Sequence, residues 1–203
     1  MFYRPGQDAH GLPHNPFKAI VSPRPIGWIS TRDAKGRANL APYSFFNAVS
    51  EDPPMVMFGS GAQKIGLDEG KDSIANILET GEFCVNFVSM ALADAMNITS
   101  GHYPHGEDEF AHAGLQKQQG EMVNVDFVQA APAAFECRLF KVIDLPGTSR
   151  MVLGEVVGIH MDETFIKDGI FDVTQYQPLS RLGYQDYAKV EQLFPLARPE
   201  SSK

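Results

Sequence analysis

The segment APYSFFN, residues 41–47, places a proline, three aromatic rings, a serine and an amide in one unbroken run. In an extended chain Leu40, Pro42, Ser44 and Phe46 project to one side, and Ala41, Tyr43, Phe45 and Asn47 to the other. An apolar slot edged by a few polar groups is what a planar redox ring requires. Taken alone, Trp28, Phe45 and Phe46 read as core, the commoner fate of large aromatic side chains.

A second group suits an anion. KDSIANILETG, residues 71–81, reads as a helix with Asp72 as N-cap, Ile74, Ile77 and Leu78 on one face, and Gly81 just past the end. A helix N-terminus presents unpaired N–H groups and the positive end of a dipole, so Lys71 and Ser73 are placed to hold a phosphate monoester. Ser60, Gly61 and Lys64, where the run MVMFGSG ends, add donors. The competing reading is a capped surface helix with a solvated lysine.

Other chemistries fail on spacing. GSGAQK puts Lys64 where a dinucleotide-binding turn needs its third glycine. GLDEGKDS has too few residues between Gly66 and Gly70 for a nucleoside-triphosphate loop. His102, His105 and His112, with Glu107, Asp108 and Glu109, match no metal-ligand signature and read as a solvated loop. His160 reads as a structural strand histidine, and no nucleophile elbow or hydrolytic triad is visible.

The elements that must carry these residues are mostly strands. PIGWISTR alternates with period two, DAKGR is a turn opened by Asp33 with Gly36 for a positive φ, and ANLAPYSFFNAV re-enters extended chain. Pro42 cannot donate a ladder hydrogen bond, so an edge, a bulge or an opening toward a ligand is expected there. EFCVNFV, AAFECRLFKVID and RMVLGEVVGIHMD are further strands, the last two joined by LPGTS as a hairpin. SMALADAMNI is helical, and SGHYPHGEDEFAHAG is a polar excursion. Short strands without a βαβ rhythm favour a mainly β, antiparallel barrel.

Composition narrows the partners. The 203 residues suit one domain over 1–203, with a core of about residues 15–190 and a frayed C-terminal tail. A net charge of −8 argues against nucleic acid. Residues 1–71 hold eight Lys/Arg and six Asp/Glu, whereas the remainder hold nine and nineteen, so an anionic ligand belongs with the first third. No apolar run is long enough for a membrane span, and the N-terminus has no secretory pattern, so a cytoplasmic location is expected. Cys84 and Cys137 sit in strand runs and read as buried free thiols.

In order, SPRPIGWISTRDAKGRANLAPYSFFNAVSEDPP, KDSIANILETGEFCVNF, DEFAHAGL, FECRL, GEVVGIHMD and PLSRLGYQDY cover most of residues 20–187. Together they resemble the flavin reductase-like family, the FMN-binding split-barrel proteins that include reductase components of two-component monooxygenases and flavoredoxin. The resemblance implies an antiparallel split barrel that forms a homodimer, with FMN near the subunit interface. It carries the flavin border over to Ser30, Thr31, Asn39, Ala41, Pro42, Ser44, Phe45 and Asn47, with Trp28 counted beside them. It carries phosphate contacts to Ser60, Gly61, Lys64, Lys71 and Ser73, and a C-terminal site element to Arg181, Gly183 and Tyr187. The implied activity is NAD(P)H-dependent flavin reduction: hydride from NADH or NADPH reaches flavin N5, and electrons pass to free flavin or a partner oxygenase. The alternative is a flavoredoxin-like FMN electron carrier that does not use nicotinamide directly. Two positions depart from the family pattern: Ser73 replaces a threonine, and Tyr184 stands where a second glycine commonly follows RLG, where its bulk would narrow access to the flavin.

Overall fold

The computed structural model describes residues 1–61 and 71–199. Its elements follow local rules. Helix α1 (Phe17–Ile20) and the short β1 (Arg24–Pro25) precede β2 (Gly27–Arg32) and β3 (Ala38–Tyr43). The turn between the last two is built by Asp33, whose Oδ1 accepts from the backbone N–H of Lys35 at 2.9 Å and of Arg37 at 2.8 Å. Gly36 takes φ +83°, as an Asp-led turn of this kind needs.

The chain continues through β4 (Phe46–Glu51), β5 (Pro54–Gly61), α2 (Asp72–Thr80), β6 (Glu82–Asn86), α3 (Ala93–Ile98) and α4 (Glu109–His112). Then come β7 (Lys117–Gln119), β8 (Asp126–Val128), β9 (Ala133–Asp144), β10 (Ser149–Met161), β11 (Ile166–Lys167), β12 (Ile170–Phe171), α5 (Val173–Tyr176), β13 (Leu179–Arg181) and β14 (Tyr187–Lys189). The predicted helix forms, and Gly81 ends it at φ 75°. Its cap differs from expectation: Lys71 occupies the N-cap position, no side chain caps it, and Asp72 is already helical.

Seven strands form one antiparallel sheet in the order β3-β2-β6-β9-β10-β5-β4. β3 and β4 lie at opposite ends of that order, yet only Ser44 and Phe45 separate them in the chain. Three Cα steps span at most about 11 Å. The two edges therefore meet, and the sheet curls into a barrel split between β3 and β4. The bridging pair is tied to β5 by the Gly59 N–H, which donates to the Phe45 carbonyl at 2.7 Å and extends the β4–β5 ladder by one step. Register shifts in the β9–β10 ladder at Leu153/Gly154 and Val156/Gly158 bend these long strands around the barrel. Gly154 is required by close approach: a Cβ there would lie 2.3 Å from Phe83 Cζ.

Two apolar layers result. Ile29, Tyr43, Phe58, Ile77, Phe83 and Val152 fill the barrel interior, with α2 closing one side. Trp28, Leu40, Met96, Phe110 and Leu179 pack on the outer face of β2 and β3. Both faces of β2 are thus covered, and five of its six residues are buried despite their period-two pattern.

Candidate functional site

β3 is an edge strand whose outer side would otherwise leave its backbone open. Glu109, buried on α4, accepts the Leu40 N–H at 3.0 Å and pins the 99–109 loop alongside. His105 ties the same loop to α2, with Nδ1 2.6 Å from Asp72 Oδ1, while Arg37 Nη2 lies 2.8 Å from its Nε2. Because arginine can only donate, Nε2 accepts and the Nδ1–H donates to the carboxylate. Thr99 secures the loop's other end, accepting from Trp28 Nε1 at 2.8 Å.

Between this loop and β3 lies a cavity of about 90 Å³, lined by Asn39, Ala41, Pro42, Tyr43, Lys71, Ser73, Ser100 and Tyr103, among others. Asn39 Nδ2 lies 3.4 Å from Ser73 Oγ as its donor, and the Lys71 ammonium stands 5.3 Å from the Tyr43 ring centroid. Tyr43 is 95% buried, and its hydroxyl lies beside Ser73 and Ser60 without a partner in hydrogen-bond geometry among the described residues. Burial above all pushes its phenol upward, so it is a neutral donor at physiological pH.

Pro42 and Ser100 also line a second cavity of about 240 Å³, with Ile26, Ser44, Met96, Arg181 and Tyr187. Met96, Ser100, Arg181 and Tyr187 in turn border a third, of about 770 Å³. The three form one groove that runs from the α2 N-terminus along β3 and widens beyond Ser44. From Asn39 to Tyr43 the strand rises about 13 Å, enough for an extended ligand with distinct ends.

Eight of the seventeen expected site residues meet in this groove. Asn39, Ala41, Pro42, Lys71 and Ser73 line its narrow end, and Ser44, Arg181 and Tyr187 its wider part. Ser60 is buried at the end of β5 near the Tyr43 hydroxyl, and Gly61 beside it is exposed. Phe45 is exposed beyond Ser44, its ring centroid 5.9 Å from both the Lys18 ammonium and the Arg24 guanidinium. Asn47 is exposed on β4 and bonds locally to the Ala48 N–H. Lys64 lies outside the described residues.

Other expected residues lie outside the groove. The side chains of Trp28, Ser30 and Thr31 are buried on the two covered faces of β2, with at most 1% exposure. Trp28 bonds Thr99, Asn86 Nδ2 donates to Ser30 Oγ at 3.1 Å, and Asn76 Nδ2 donates to Thr31 Oγ1 at 3.0 Å. They support the groove from beneath. Gly183 packs on α1, where a Cβ would lie 2.5 Å from that of Ala19 and 2.7 Å from its Cα. That contact explains the glycine without a ligand. Three contributors are not singled out by the sequence: Tyr43, which reads there only as one ring of the aromatic run; the 99–109 loop, which reads as a solvated excursion; and Arg24, whose proline-flanked position in SPRPIGW is its only signal.

Residues 21–180 match the family described as Flavin reductase like domain. The chain belongs to that family. An uncharacterized protein of Deinococcus radiodurans is 44% identical over 154 residues, 74% of this chain and 66% of the relative, just under two thirds of its length. Two crystal structures resemble this flavin reductase-like chain closely. Nitrilotriacetate monooxygenase component B from Bacillus cereus is 29% identical, with 97% of this chain and 98% of that one covered and a TM-score of 0.87. The 2-nitrobenzoate 2-nitroreductase NbaA of Pseudomonas fluorescens is 30% identical, with 92% and 90% covered and a TM-score of 0.81. Among the described residues of the flavin reductase-like chain, no helix is long and apolar enough to cross a membrane.

Proposed function

We propose that this chain binds FMN along β3 and reduces it with NADH or NADPH. The observation that carries this reading is the run of cavities along β3: a narrow end at α2, lined by Asn39, Lys71 and Ser73, leads to a wider part lined by Ser44, Arg181 and Tyr187. The residues fit the cofactor. Lys71, Ser73, Asn39 and the α2 N-terminus suit a phosphate monoester, and the Tyr43 hydroxyl, which has no hydrogen-bond partner among the described residues, stands behind them. Pro42 offers an apolar floor shared by both cavities, with Ala41 beside it at the narrow end, and Ser44 a polar edge.

When bound, the flavin supplies two-electron chemistry, accepting hydride at N5 from a reduced nicotinamide. The chain's own contribution is to hold the ring against β3, leave its outer face open to the donor through the cavity bordered by Met90, Met96 and Tyr187, and place donors where charge accumulates. The acceptor is free flavin or a partner oxygenase, a reading supported by the likeness to a monooxygenase component B. A homodimer belongs to the same reading, because Phe45 in the β3–β4 connection and Val49 on β4 are 42% and 51% exposed, where a second copy would cover them.

Purified protein incubated with FMN and desalted is expected to be yellow, with oxidised-flavin absorbance bands. Anaerobic addition of NADH or NADPH is expected to bleach them. Retention of FMN without bleaching by either nucleotide would instead establish an electron carrier, and no retention at all would refute the cofactor.

A further inference from the structure

Arg24 and Arg181 sit directly opposite each other in the β1–β13 ladder. Like charges in that position destabilise a sheet. Arg24 is also 95% buried. Its guanidinium donates to the carbonyls of Lys18, Val21 and Leu182, the last at 2.7 Å, and its Nε lies 3.5 Å from Ser44 Oγ. Arg181 donates to the Tyr184 carbonyl at 2.5 Å, and its guanidinium lies over the Tyr187 ring at 4.4 Å.

Every one of these partners is neutral. Among the described residues, no carboxylate lies within ion-pair distance of either arginine. Buried charges are ordinarily paired, and two adjacent cations without a counter-ion are a standing cost to the fold. Burial first, and Arg181 second, hold Arg24 below the ordinary arginine range, as expected for charge that is not offset. Such a cost persists where function uses it.

The pair adjoins the groove. Arg181 lines its middle and wide parts, and Ser44, the polar contact of Arg24, lines the middle part. This is the end away from α2, where the FMN reading above puts the ring rather than the phosphate. An oxidised isoalloxazine is neutral, whereas its two-electron-reduced form is an anion at neutral pH with charge shared between N1 and the C2 oxygen. We infer that Arg24 and Arg181 form a cationic wall that stabilises the reduced flavin over the oxidised one and so raises its reduction potential. The carbonyl clasp from Lys18, Val21 and Leu182 fixes the Arg24 guanidinium beforehand, so little reorganisation accompanies charging of the ring.

The inference rests on the FMN reading, and the test separates the two. FMN is bound to wild type, Arg181→Gln and Arg181→Lys, folding is checked by circular dichroism, and affinities for oxidised and reduced FMN are measured with the midpoint potential. Arg181→Gln is expected to weaken reduced FMN about tenfold relative to oxidised FMN, a fall of about 30 mV for a two-electron couple. Arg181→Lys should recover most of that shift, which loss of packing on Tyr187 would not allow. Arg24→Gln, where it folds, should shift the potential in the same direction. Equal losses for both redox forms, or an unchanged potential in folded Arg181→Gln that still binds FMN, would overturn the arginine assignment alone. Failure of wild type to take up FMN would overturn the cofactor reading and this inference with it.

Discussion

His105 bridges two elements that are far apart in sequence: Nδ1 lies 2.6 Å from the Asp72 carboxylate on α2, and Nε2 2.8 Å from the Arg37 guanidinium at the end of the β2–β3 turn. The loop that walls the groove is thereby fastened to the residue adjoining both Lys71 and Ser73. Replacing His105 with alanine removes both bonds from a half-exposed side chain. The expected cost is about 1 kcal/mol of stability, with weaker FMN binding through a faster off-rate. Stopped-flow release of FMN checks this, and an unchanged off-rate would show that the loop does not gate the narrow end.

In the proposed FMN site the phosphate lies at the α2 N-terminus. Lys71→Ala with Ser73→Ala should therefore weaken FMN far more than riboflavin, by about a hundredfold against less than about threefold, since two charge-assisted contacts are lost only with the phosphorylated ligand. Fluorescence quenching titrations with the two flavins give the comparison. Parallel losses would move the phosphate elsewhere.

Glu136 is a buried carboxylate that gathers the 121–123 turn, accepting the N–H groups of Glu121, Met122 and Val123 at 3.0, 2.7 and 2.8 Å, with His160 Nε2 at 2.6 Å. Burial pushes its pKa up, but these bonds outweigh burial and leave it below the ordinary glutamate range. A depressed folded pKa stabilises the protein above the unfolded value of about 4.3, and that contribution is lost as pH falls through the folded value. Glu136→Gln should cost about 2 kcal/mol at pH 7 and flatten the acid limb of the stability profile. Urea unfolding at pH 7 and below pH 4 measures both, and an unaltered acid limb would show that other carboxylates control it.

Cys84 and Cys137 are fully buried, and burial above all raises both thiols well above their ordinary range. Neither should react with a disulfide reagent such as DTNB in the folded protein, and both should react in denaturant. Stoichiometric labelling under native conditions would contradict this packing.

Some of this architecture was legible from local pattern alone. AAFECRLFKVID is β9 residue for residue, and the Asp33/Gly36 turn and the Gly81 helix end form as their side chains dictate. The turn and the helix end depend on contacts between residues close in the chain, which a sequence displays directly, and the strand is legible from its composition and length although its partners are distant. The sequence also brought out the two ends of the groove, since proline on an edge strand and a helix start beside lysine and serine carry their chemistry in their residue types.

Tertiary structure decided which of those side chains line the groove. Trp28, Ser30 and Thr31 alternate as an amphipathic strand should, yet β2 is covered on both faces because α3 and α4 pack outside the barrel. The closing of the 99–109 loop on β3 and the pairing of Arg24 with Arg181 join residues tens to more than a hundred positions apart. No local pattern encodes such meetings. They follow from the curl of a seven-stranded sheet whose ends are joined by two residues, and from the need to satisfy the polar groups that this curl buries.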